Sequence, residues 1–285
     1  MSTLLPLVSS AAYGVSDYLG GVAARRTSAL DVVAVAYPTS VVGMAILSLV
    51  LPGEVTAGAL LWGAGSGAVM AFAIWWFYLA LAAGPISVVS PLTAVLVAAV
   101  PVPVALLQGE APSALAWWGI GIGVAAVLLV SWTPSGAAGR IRPATLLLTV
   151  GAGAAFAASF VLTAQIPSGA GVAPLLAARC AATLIILAVV LVTRRDRDPD
   201  TATPRSLTDS LGVPIAIGLV DVVANLAMYY TFQLGDLAVG SVVIALYPAF
   251  TVALAVLVLR ERLRMWQAGG LLAAAFSVLL VHSGS

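Results

Sequence analysis

The chain has no lysine, one cysteine (Cys180) and one histidine (His282), and only 8% of its 285 residues carry charge. An average soluble domain is about 25% charged, so this chain cannot build a water-facing surface of ordinary composition. A lone cysteine excludes a disulfide framework. One cysteine with one distant histidine excludes a zinc, haem or iron–sulfur centre built on such ligands. The formal charge is +1, and the arginines are scattered in short groups. That leaves no basic stripe for a phosphate backbone, so nucleic acid is not an expected partner. The Gly-rich run GAGSGAV follows no strand and precedes no P-loop lysine, which argues against nucleotide binding. The serines have no nearby histidine base, and the carboxylates lack the companions of a protease or metal site. No cofactor and no enzymatic activity are expected.

What the chain does have is 62% apolar residues. Proline, glycine and charge divide them into blocks near the roughly 20 residues that cross a bilayer. The blocks run over 3–24, 30–51, 57–82, 86–107, 114–132, 143–165, 171–193, 210–233, 236–259 and 265–282. The N-terminal MSTLLPLVSS lacks the basic segment of a secretory signal and reads as the start of an uncleaved first span. Eleven of the twelve arginines fall in odd-numbered connections: Arg25, Arg26, Arg140, Arg142, Arg194, Arg195, Arg197, Arg205, Arg260, Arg262 and Arg264. Positive loops stay in the cytoplasm. This distribution puts the odd connections inside and both termini outside a cell (plasma or inner) membrane.

The chain also repeats itself. A shift of 151 residues lays ALAAGPISVVSPLTAVLVAA over TFQLGDLAVGSVVIALYPAF and aligns Gly67 with Gly218, Tyr78 with Tyr229, Glu110 with Glu261 and Gly119 with Gly270. Residues 1–135 and 140–285 are the two units. Five spans in each is an odd number, so the units enter the membrane in opposite directions. The expected fold is all-α and polytopic, ten transmembrane helices as two inverted five-helix repeats. Such repeats recur in secondary transporters, which bind substrate near the midplane between them.

Each half ends with a G-x-x-x-x-x-S helix, an acidic residue (QGEAPSALAWWG, LRERLRMWQAGG) and a Gly-rich last span. In this the chain resembles the EamA-like members of the drug/metabolite transporter superfamily. The resemblance covers nearly the whole chain. It implies ten helices, a central cavity formed mainly by the first four helices of each half, and last helices that pack structurally or at a dimer contact. Asp17 stands where many members carry an uncharged residue.

A charged side chain facing hydrocarbon costs at least about 2.5–3.5 kcal/mol, so such groups face a cavity or a partner. Only Asp17, Arg179 and Asp221 lie in the interior of blocks, the other charged residues being at block ends or in loops. Helical rise gives Arg179 and Asp221 similar depths, which predicts an ion pair serving as a lock between helices, a gate or a substrate anchor. Asp17 lies at another depth and has two readings. It is a proton-exchanging carboxylate that couples transport, or it reaches the interface and pairs with Arg25 or Arg26. Ser10, Tyr13, Asp17 and Gly20 share one helix face, as do Gly218, Asp221, Asn225 and Tyr229. Tyr13, Asn225 and Tyr229 either line a cavity or bond between helices. Trp75, Trp76 and Tyr78 are pocket candidates whose rings suit a cation or a planar substrate, the alternative being packing or lipid contact. Tyr247, beside Pro248, completes the substrate- or ion-binding set. Pro91, Pro101, Pro103 and Pro248 are expected to kink their helices.

The reading is an alternating-access secondary transporter. It exports a small metabolite, amino acid or drug-like compound as a monomer or homodimer, with protons as the coupling partner through Asp17. An uncoupled facilitator is the alternative within transport. A membrane scaffold or sensor subunit is the alternative outside it.

Overall fold

A computed structural model of the protein describes residues 4–24, 28–83, 86–132, 142–195, 211–259 and 264–284. Among these the helices are α1 (Leu4–Ala24), α2 (Ala29–Val50), α3 (Ala57–Ala83), α4 (Ile86–Ala99), α5 (Pro101–Leu107), α6 (Ala114–Ser131), α7 (Pro143–Ala164), α8 (Ala173–Arg195), α9 (Gly212–Leu234), α10 (Leu237–Ile244), α11 (Tyr247–Leu259) and α12 (Met265–Gly284). No strand occurs among the described residues.

Local chemistry sets the boundaries. Ser28 caps α2 by accepting from the Asp31 amide at 3.2 Å, and Ser113 caps α6 by accepting from Ala116 at 3.2 Å. Pro143 opens α7, where a missing N–H costs nothing. Two expected single blocks are interrupted. The 86–107 block breaks at Val100, before Pro101, and the 236–259 block breaks at Ala245–Leu246, before Pro248. A proline cannot donate to the preceding turn, and its ring crowds that turn's carbonyl. α4 runs through Pro91 without a break.

Eight segments are long and apolar enough to cross a membrane: 30–50, 57–83, 114–131, 143–164, 173–193, 212–234, 237–258 and 265–283. α1 has the length, but its Ser9, Ser10, Tyr13, Ser16 and Asp17 dilute its apolarity. The 86–107 passage is cut by its break. The bundle is that of a polytopic α-helical membrane protein.

Four described connections meet at one end of the bundle. The Glu54 amide donates to the Gly169 carbonyl at 2.9 Å, and the Val172 amide donates to the Leu51 carbonyl at 3.3 Å. There Gly53 and Gly171 bring their backbones too close for a Cβ on either. The Gln233 side chain donates to the Ile166 carbonyl at 2.7 Å. Glu110 reaches the start of α10. At the opposite end the Trp266 indole donates to the Trp132 carbonyl at 3.1 Å, and Thr145 donates to the Ala83 carbonyl at 3.3 Å. Arg142 and Arg264 flank those contacts in sequence. The two ends are the short-loop end and the arginine end.

Packing differs between them. α10, which starts at the short-loop end, buries all of its residues except the half-buried Val239. In α11, which continues toward the arginine end, Ala249 alone is buried among the described side chains. Gly20 and Gly21, near the arginine end of α1, face open space. Gly14, a turn and a half before Gly20, lies so close to Tyr247 and Phe250 that a Cβ would stand 2.5 Å from the Phe250 Cβ.

Candidate functional site

The three intraspan charges lie on α1, α8 and α9. Arg179 Nη1 stands 3.3 Å from Asp221 Oδ2, with the side chains 6% and 13% exposed. The expected ion pair is therefore present. Ser40 of α2 donates to Asp221 Oδ2 at 2.6 Å, and the Asn225 amide donates to Oδ1 at 2.9 Å and to the Asp221 carbonyl at 2.8 Å. The guanidinium carbon of Arg179 lies 5.3 Å from the centroid of the Tyr37 ring, also on α2. Each Asp221 oxygen has a hydrogen-bond donor, and the arginine has an anion and a ring. This is how buried charges become tolerable. Ser40 and Tyr37 escaped the sequence reading. The available signal was their three-residue spacing, which puts two polar groups on one face of an apolar helix.

Asp17 differs. It is exposed, and among the described residues no basic group pairs with it. Arg25 and Arg26, its suggested interfacial partners, lie outside the described residues. Its surroundings are protein rather than lipid alone, because the carboxylate acts electrostatically on Tyr13, Tyr78 and Tyr247 from α1, α3 and α11. Asp17 is thus an exposed carboxylate within range of tyrosines on α1, α3 and α11. Seven residues separate it from the end of α1, about 10 Å at 1.5 Å per residue.

Tyr13 joins the two groups. Its ring meets Tyr247 edge-on at 6.4 Å and 62°. Its hydroxyl points to Met228 Sδ at 3.7 Å. It also lies within electrostatic reach of Asp17, Arg179 and Asp221 together. Tyr78 reaches the same region from α3, within range of Asp17 and Tyr37.

The remaining candidates sit elsewhere. Tyr229 is 2% exposed, packs among Met44, Ile166 and Leu175, and has Tyr230 at 5.2 Å. It belongs to the tight short-loop side. Trp75 and Trp76 gather around the exposed Phe72 at 6.3 and 5.9 Å, and Trp76 also lies against α7 at Gly151. The structure therefore brings together Tyr13, Asp17, Tyr78, Arg179, Asp221, Asn225 and Tyr247. It holds Tyr229 and the two tryptophans apart. No group of three or more His, Cys, Asp or Glu that could hold a metal occurs among the described residues.

Residues 143–283 match the EamA-like transporter family. The chain belongs to that family and is a multi-pass membrane protein of a transporter class, with the lipid bilayer as its environment and small molecules as its substrate class. A solved structure titled only as the crystal structure of a protein is similar in fold. Its TM-score is 0.72 at 15% identity, over 98% of this chain and 94% of that chain. No curated protein matches the chain.

Proposed function

We propose that the protein is a secondary transporter that exports small metabolites, amino acids or drug-like compounds by alternating access, with Asp17 as the proton-coupling carboxylate. The observation that carries this is the contrast between the two charged groups. The Arg179–Asp221 pair is satisfied by Ser40, Asn225 and Tyr37, whereas Asp17 is exposed, has no basic partner among the described residues and lies within electrostatic range of Tyr13, Tyr78 and Tyr247. Removing the neutral pair from the sum leaves one negative charge inside the membrane. A proton or a bound group must neutralise it during the transport cycle.

α1 and the broken passage 86–107 join the eight long apolar segments to make ten crossings in this reading. The packing supports an inverted repeat. Gly119 lies against Val281 and Gly270 against Val130, and both pairs of positions are related by the same 151-residue shift. Contacts that swap partners under one shift are those of a local two-fold axis. With odd connections in the cytoplasm, the short-loop end is the outer end. The site then opens inward in this state. The α6–α12 glycines are used within one chain, which leaves the oligomeric state to other surfaces.

Reconstituted vesicles test the coupling. Labelled amino acids and organic amines are offered under a pH gradient, and accumulation that survives Asp17→Asn unchanged rejects Asp17 as the coupling group. An Asp17→Asn variant that exchanges but does not accumulate supports it, and separates the reading from an uncoupled facilitator.

A further inference from the structure

We propose that Glu110 is a positioning residue that latches the short-loop end shut over the Asp17 site by capping α10. Both carboxylate oxygens are used. Oε1 accepts from the Leu237 amide at 2.7 Å and Oε2 from the Ala238 amide at 3.0 Å. These are the first two amides of α10, and its own N-cap residue, Asp236, makes no side-chain capping bond. A carboxylate 127 residues earlier in the chain takes that role, aided by the positive end of the helix.

The sequence builds the latch locally. Gly109 has φ 95°, the left-handed conformation that glycine adopts without strain. The Gly109 amide donates to Leu106 and the Glu110 amide to Ala105, both at 3.0 Å, which is a Schellman ending for α5. That turn aims Glu110 away from its own helix and toward α10. From there α10 passes through Ala245–Leu246 into α11, whose first residue, Tyr247, meets Tyr13 one turn from Asp17. The carboxylate thus fixes the buried segment on the short-loop side of the site, while toward the arginine side a Cβ at Gly20 or Gly21 would meet no neighbour. Opening the short-loop end requires these two hydrogen bonds to break. The inference rests on the alternating-access reading above and names one contact that holds one of its two states.

Two single-cysteine reporters test it in the full-length protein with Cys180→Ser. Ser241→Cys sits in buried α10, and Gly20→Cys sits in the open stretch of α1. A membrane-impermeant thiol reagent is applied separately from each side of proteoliposomes. With Glu110 intact, Gly20→Cys reacts quickly from the arginine side and Ser241→Cys slowly from the short-loop side. Glu110→Gln is expected to raise the Ser241→Cys rate by about tenfold, the effect of losing one charge-assisted hydrogen bond, and to lower the Gly20→Cys rate. Gly109→Ala keeps the carboxylate but strains its turn, and is expected to act in the same direction. Unchanged rates in both variants overturn the latch. A rise at both reporters also overturns it, because loosened packing opens both sides whereas a released latch trades one for the other. The assay reads no transport, so it can fail while Asp17 coupling stands, or succeed while coupling fails.

Discussion

Arg179 and Asp221 meet at 3.3 Å in the interior, each almost enclosed, from two helices that follow one another in the chain. Breaking such a pair from one side leaves a charge with no counterion, which costs roughly 3–5 kcal/mol, whereas removing both partners costs far less. Arg179→Gln and Asp221→Asn are each expected to destabilise the detergent-solubilised protein by that amount. The double variant should recover most of the loss. Thermal unfolding of the four forms closes the cycle, and additive single effects would show that the two groups answer to other partners.

Ser40 holds the same carboxylate at 2.6 Å. A hydrogen bond to a charged group is worth about 1.5–3 kcal/mol, so Ser40→Ala should lower stability within that range. Tyr37→Phe keeps the ring beside Arg179 and should cost less, since ring and cation still attract. Equal losses in thermal unfolding would mean that the Tyr37 hydroxyl, not the ring, carries that contact.

Hydropathy made the helices legible because block length and helical rise are tied to one physical thickness. Charge scarcity made Arg179 and Asp221 legible as partners, because two opposite charges at similar depth have few other ways to be stable. Ser40 and Tyr37 were not legible, since neither is costly enough in a membrane helix to announce a role. The helix breaks were only half legible. Pro91, Pro101, Pro103 and Pro248 look alike in sequence, yet α4 continues through the first and the chain breaks beside Pro101 and Pro248. Trp75 and Trp76 show the opposite limit. Their place in the chain is plain, but the side they face depends on how α3 is rotated against α7, which only packing decides.

Close helix approach gives a further test. A Cβ on Gly67 would run into the Ala178 backbone of α8, and one on Gly218 into the Ala36 backbone of α2, with Thr39 Cβ at 2.7 Å. Backbone cannot rotate aside as a side chain does, and overpacking typically costs about 1–3 kcal/mol. Gly67→Ala and Gly218→Ala should each destabilise by that amount in thermal unfolding. Gly20→Ala, facing open space, should not. The positions are 151 residues apart, Gly67 on α3 meeting α8 and Gly218 on α9 meeting α2, so unequal losses would count against the proposed two-fold relation.

The exposed carboxylate of Asp17 makes the last prediction quantitative. One proton exchanged per cycle across a gradient of one pH unit supports about tenfold accumulation. Vesicles whose lumen faces the short-loop end and is one pH unit more acidic should accumulate a labelled amine or amino acid substrate toward that ratio. Asp17→Asn cannot exchange a proton at this position. It should bring the ratio to one while exchange between labelled and unlabelled substrate continues. Asp17→Glu keeps the acid, and the exposed position leaves space for one more methylene. It should restore accumulation with a changed rate. Accumulation by Asp17→Asn would place the coupling on another group, and loss of exchange together with accumulation would make Asp17 a substrate contact rather than a proton site.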